Sequence, residues 1–185
     1  MTAKQEVFIS VDVETAGPIP GEYSMLTLGA CCVDDPAKTF FCSLKPINGN
    51  FVPAALEVTG LSLAKLAEDG LAADGAMGQF NTWIASQCTE AQTPVFVGLN
   101  APFDWSFVNY YFHRFAGTNP FGFTAVDIKG LYMGATGCSW HETRSSAIAR
   151  RLHPTLKGDH DALHDALFQA ELFRLVRQLI QDSRA

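Results

Sequence analysis

Nowhere does the chain carry an apolar run approaching the roughly 20 residues that a bilayer-spanning helix needs. Its first residues, Met1–Glu6, have neither the basic stretch nor the apolar core of a secretory signal. A soluble, cytoplasmic protein with no membrane partner is expected. Paired cysteines are also missing: Cys31, Cys32, Cys42, Cys88 and Cys138 are odd in number, and none forms a CxxC pair or a His/Cys zinc spacing. That excludes a disulfide framework and leaves reduced thiols. Positive charge is scarce, with 13 Lys and Arg against 19 Asp and Glu and a net charge of −6. A broad basic face that grips long nucleic acid by neutralising phosphates is therefore not expected. No internal repeat, low-complexity tract or linker divides the 185 residues, of which 48% are hydrophobic. One compact domain spanning 1–185, large enough to bury a sizeable core, follows.

What is present is patterned. Val7–Val13, Leu26–Val33 and Thr39–Leu44 are short apolar, β-branched runs separated by turn residues, which predicts three consecutive strands in an antiparallel meander. Pro53–Gln87 reads as helical, broken at Thr59-Gly60 and again around Gly70–Gly78. Val95–Gly98 is a short buried strand, Phe103–Phe115 has apolar residues at helical spacing, and Gly122–Val126 is strand-like. Met133–Lys157 is the least patterned segment, a loop around a short helix, and Asp161–Ile180 is a strongly periodic amphipathic helix. Strands followed by alternating helices and strands imply an α/β layer fold.

The acids near these elements hold the chemistry. Asp12 and Glu14 end the first strand, and period-two alternation puts both on one face of the sheet. Side by side after apolar residues, they form a pair that a hard cation such as Mg²⁺ or Mn²⁺ would neutralise. Two ordinary surface acids at a strand end would read the same way. Asp104 falls in the first turn of the Phe103 helix, where an acid also complements the helix dipole. Asp165 opens the last helix, five residues after His160. Asp127, Asp159 and Asp161 sit where helix caps are expected.

In order along the chain, Asp12-Val13-Glu14-Thr15, Gly98-Leu99-Asn100-Ala101-Pro102-Phe103-Asp104 and His160-Asp161-Ala162-Leu163-His164-Asp165-Ala166 resemble the three motifs of the DnaQ-like exonucleases, the DEDDh group of the ribonuclease H-like superfamily. Val58-Thr59-Gly60-Leu61 is similar to that family's threonine-glycine-aliphatic segment, and the spacing agrees from Val7 to Ile180. Two departures stand out: Leu99 occupies a position where many relatives have histidine, and the loop Ala16–Ser24 is rich in glycine and proline.

The resemblance implies a ribonuclease H-like fold: a central mixed five-stranded sheet, its first three strands antiparallel, with helices on both faces. It implies a 3′–5′ exonuclease that hydrolyses terminal phosphodiester bonds of single-stranded DNA or RNA, or of short oligonucleotides, and releases nucleoside 5′-monophosphates. Asp12, Glu14, Asp104 and Asp165 would hold two divalent cations, Mg²⁺ or Mn²⁺. His160 would be the general base. His164 is a rival base, read in preference as a surface residue of its helix. Thr15, Ala16, Thr59, Leu61, Asn100 and Phe103 are the implied substrate contacts. Trp105 and Phe112 could stack on a base, although buried aromatics are commoner. Arg144, Arg150, Arg151 and Lys157 could meet phosphates, with a solvated surface as the equal alternative. The family is frequently homodimeric. Only Gln181–Ala185 follows the last helix, so attachment to a replicative polymerase is not expected. The competing readings are a catalytically silent nucleic-acid-binding module of the same fold, which should lack a ligand or the base, and an endonuclease of related topology.

Overall fold

The computed structural model describes residues 4–183, so the outermost residues of the expected 1–185 domain, 1–3 and 184–185, lie outside the described residues. The chain opens with the antiparallel meander β1 (Gln5–Thr15), β2 (Met25–Cys32) and β3 (Thr39–Ser43). Three helices follow, α1 (Pro53–Thr59), α2 (Leu63–Asp69) and α3 (Ala73–Gln87). Next come β4 (Gln92–Gly98), α4 (Ala101–Tyr111) with a π-helical extension Phe112–Ala116, and β5 (Ala125–Asp127). The chain ends with α5 (Ile128–Thr136), a 3₁₀ turn, α6 (Ser145–Leu152) and α7 (Ala162–Asp182). The strands form one sheet in the order β3-β2-β1-β4-β5, with β4 and β5 parallel to β1. This is the mixed sheet expected from the motifs. No helix among the described residues is long and apolar enough to cross a membrane.

Period-two alternation along β1 sorts its side chains to two cores. Ile9, Val11 and Val13 join Met77, Phe80, Phe107 and Tyr111 of α3 and α4. Phe8 packs instead with Ile128, Ile148, Phe173 and Val176 of α5, α6 and α7. Both faces are therefore covered, and every residue of β2 is buried. Asp12 and Glu14 share the parity of Phe8, so they emerge on the α7 face.

Two expected breaks fall differently. Gly75 and Gly78 lie within α3, which starts at Ala73, so only Gly70 ends a helix there. Neither internal glycine is crowded, and the burial of Met77, Phe80 and Ile84 outweighs their weak helix propensity. The strand expected over Gly122–Val126 shrinks to Ala125–Asp127, because Gly122 turns with φ of 77°.

The position of α7 depends on small residues. Ala162, Ala166 and Ala170 recur every fourth position and are fully buried against the sheet. The Cys31 thiol donates to the Ala166 carbonyl at 3.5 Å. At Gly29, a β-carbon would lie 2.2 Å from the Ala162 backbone, so helix and strand touch main chain to main chain. Gly29 is also the ladder partner of Asp12. Gly29→Ala therefore has no flexible neighbour to displace and should cost about 3 kcal/mol, at the upper end for overpacking. Chemical denaturation of the variant against the wild type measures this, and an unchanged midpoint would contradict the close approach.

Candidate active site

The end of β1 runs past its neighbour. The β1–β4 ladder closes at Ser10 and Val97, and after Gly98 the chain leaves the sheet through Asn100, whose backbone is left-handed with φ of 68°. The Val13 N–H is met from that side by a side chain instead of a strand: Asp104 Oδ1 accepts it at 3.1 Å. Asp104 is buried on the first turn of α4. That turn is itself tied down by Asp127, whose two carboxylate oxygens accept the Ala101 and Gly130 N–H groups at 3.0 Å each. The cap expected at Asp127 thus serves two helices, α4 as well as α5.

From the other side, α7 brings Asp165 and, one turn later, Gln169. Asp161 caps the helix by accepting the Leu163 and His164 N–H groups. Gln169, 4% exposed, donates to Asp12 Oδ1 and accepts the Leu99 N–H at 2.8 Å. It links the carboxylate of β1 to the end of β4. Sequence reasoning missed it. Its spacing of four residues from Asp165, on the same helical face, was the available signal. Ligand atoms of Glu14, His160 and Asp165 lie within 4.8 Å of one another. A cleft of about 590 Å³ opens here, lined by Asp12, Leu99, Lys157, His160, Asp165 and Gln169 among others.

Four carboxylates that repel one another and are all at least partly buried resist ionisation. Burial first, and then repulsion from Asp104, Asp165 and Glu14, push Asp12 well above the carboxylate range, against the opposing hydrogen bond from Gln169. Glu14 rises to about 8 through burial, Asp165 and Asp104. Burial raises Asp104 despite the Val13 N–H, and burial raises Asp165 as well. Burial and the neighbouring acids are the leading influences on Asp12 and Glu14, ahead of any lysine or arginine among the described residues. A set of hard oxygen donors without a dominant counter-charge fits a divalent cation.

No protein-family model matches the chain. Among characterised proteins, the 3′–5′ DNA exonuclease Cap18 of Escherichia coli is 58% identical over 184 residues, covering 100% of this chain and 98% of that protein. The chain belongs to the DEDDh 3′–5′ exonuclease family. Solved structures agree on the fold. The nuclease domain of 3′hExo, a DEDDh family member bound to rAMP, superimposes with a TM-score of 0.74 at 12% identity, over 95% of this chain and 92% of that one. Escherichia coli Exonuclease I in complex with a dT13 oligonucleotide gives 0.74 at 17% identity, over 97% of this chain and 43% of that one. A DEDDh exonuclease depends on divalent metal, and the converging acids are of the right type.

Other expected site residues of this DEDDh exonuclease are placed as follows. Thr15 and Ala16 adjoin Glu14 and are buried. The Ala16 N–H bonds Ser24 and its carbonyl accepts from Val52. Leu61 packs on the small cluster formed by Ala16, Leu26 and Leu66, so these two expected contacts do meet. The Thr59 hydroxyl is occupied locally, bonded to the Ala55 carbonyl and the Leu61 N–H. Asn100 is exposed at the start of α4, and Phe103 is 36% exposed with its ring against Phe107. Phe112 is fully buried and so is no stacking platform, while Trp105 is half-buried and packs edge-on against Phe96. Lys157 lines the cleft, whereas Arg151 lies over the Tyr132 ring. Asp159 braces a loop and does not cap the helix, its Oδ1 accepting the Asp161 N–H.

The raised carboxylates set the pH dependence of stability. In the folded protein Glu14 keeps its proton to about pH 8, whereas in the unfolded chain it releases it near the ordinary glutamate value of 4.5. Asp12, Asp104 and Asp165 shift in the same direction. Their contribution to stability is therefore complete in acid and is lost as pH rises through neutrality to about 8. Thermal melts in chelator should show a lower Tm at pH 8 than at pH 5. Added divalent cation should raise Tm more at pH 8, where protons no longer compete. A Tm in chelator that rises over this interval would contradict the cluster.

Proposed function

We propose that this exonuclease removes nucleotides one at a time from the 3′ end of a single DNA strand. Asp12, Glu14, Asp104 and Asp165 are the ligands of two divalent cations, Mg²⁺ or Mn²⁺, and His160 is the general base. The observation behind this reading is that Asp12, His160 and Asp165 line one cleft, with Glu14 close to His160 and Asp165, and that Asp104 and Glu14 act with Asp165 on the Asp12 carboxylate. The name of the Escherichia coli relative favours DNA over RNA.

Bound cations would supply Lewis acidity toward the phosphate and a more acidic water. The protein's own groups do the rest. Asp12 and Glu14 present oxygens from a rigid strand, and Gln169 fixes the rotation of the Asp12 carboxylate. Asp104 cannot swing away without giving up the Val13 N–H. His160, exposed beside Glu14 and Asp165, is placed to take the proton of the attacking water. On the substrate side, Thr15, Ala16, Thr59 and Leu61 are the contacts of this reading, and Leu61, backed by the cluster that holds the buried Ala16, supplies an apolar edge for a terminal base without reading its identity. Asn100 and Phe103 stand at the start of α4, four residues and one residue before Asp104. Residues 1–185 would work together as one exonuclease domain.

End-labelled single-stranded DNA and RNA, digested with Mg²⁺ or Mn²⁺ and resolved by length, test the reading. A ladder shortening from the 3′ end of DNA is expected, abolished by chelator. Asp12→Ala and His160→Ala should each lower kcat by at least about 10²-fold. Faster shortening of RNA would overturn the DNA assignment. Internal cuts would point to an endonuclease, and no cleavage of either strand by folded protein would point to a silent binding module.

A further inference from the structure

His160 stands in an unfavourable backbone conformation. Its φ of 63° is left-handed, a region that residues other than glycine seldom occupy. A loop that holds its one base in such a turn needs restraint from outside. The restraint is visible on both sides of His160. Before it, the Asp159 N–H donates to Asp165 Oδ1 at 2.8 Å, and Asp159 Oδ1 accepts the Asp161 N–H at 3.2 Å. After it, Asp161 is fixed as the cap of α7. The remaining oxygen of Asp159, Oδ2, lies 3.0 Å from Nδ1 of His164. An ionised carboxylate only accepts, so Nδ1 carries the proton and donates.

We propose that His164 is a positioning residue: through Asp159 it clamps the loop Gly158–Asp161 onto the first turn of α7, and so aims the His160 ring at the space beside Glu14 and Asp165. The inference rests on His160 being the base. It gives His164 a task other than proton transfer, although His164 lies only four residues from His160 and next to Asp165. The pair is open to solvent, with side-chain exposures of 60% and 57%. Exposed pairs of this kind add little to global stability. Losing the clamp should therefore slow the chemical step without unfolding the protein.

The test is steady-state hydrolysis of a single-stranded DNA oligonucleotide at saturating Mg²⁺ or Mn²⁺, with thermal melts alongside. His164→Ala and Asp159→Ala should each lower kcat by about tenfold, the scale on which misplacing a reacting group is felt, while KM and Tm stay close to wild type. The double variant should be no slower than Asp159→Ala, because the contact that His164→Ala removes is already lost in Asp159→Ala. His164→Asn keeps a donor near the Nδ1 position but cannot act as a base, and it should recover most of the lost rate. Wild-type kcat in His164→Ala overturns the inference, as does failure of His164→Asn to rescue, which would mark His164 as a proton carrier. His160→Ala is measured in parallel. If it remains fully active, the base assignment itself falls; if it is inactive while His164→Ala is not, only the clamp is lost.

Discussion

Main-chain contact between α7 and β2 at Gly29 is the constraint on which the arrangement depends. A helix laid on a sheet ordinarily stands off by the thickness of its side chains, about 10 Å between layers. Here a glycine on the strand and an alanine every fourth residue on the helix remove that thickness at one end. Because Gly29 is the ladder partner of Asp12, the point of closest approach coincides with the metal-binding carboxylates proposed here. Asp165 and Gln169 reach Asp12 by this route, although more than 150 residues of chain separate them.

The second organising fact is that the sheet is unfinished where the chemistry sits. β4 turns away after Gly98 while β1 continues for several residues, and the gap is filled by polar side chains instead of another strand. Asp104 and Gln169 each serve backbone and site together: one accepts the Val13 N–H, the other accepts the Leu99 N–H and donates to Asp12. Groups that satisfy main-chain hydrogen bonds are held in place before any cation arrives, which is the preorganisation that electrostatic catalysis requires.

Much of this was legible in the sequence, for physical reasons. Alternation in β1 placed Asp12 and Glu14 together without knowledge of any partner, and the strong periodicity of the last helix located Asp165. The five-stranded mixed sheet came from the family resemblance, whereas the residues alone gave its antiparallel opening meander. Gly29 was not legible, and Gln169 offered no more than its helical spacing from Asp165, because their roles arise from contacts between segments far apart in sequence. Gly75 and Gly78 misled in the opposite direction, since a local preference for turns yielded to the burial of Phe80 and its neighbours. The left-handed turn at His160 likewise has no local signature; it is imposed by bonds made on either side.

The hydrogen bond from Val13 to Asp104 also bears on the history of such a chain. A ligand that only bound a cation could be exchanged freely once the chemistry was no longer needed. Asp104 could not, because removing its carboxylate would leave a buried N–H of the central strand unsatisfied, a fault that costs roughly 1–3 kcal/mol. A descendant that had abandoned catalysis would thus tend to keep this acid, or replace it only by a side chain that still accepts a hydrogen bond. Glu14 and His160, whose side chains bond no main-chain group among the described residues, would be the first to drift, and their loss is a better mark of a retired enzyme than that of Asp104.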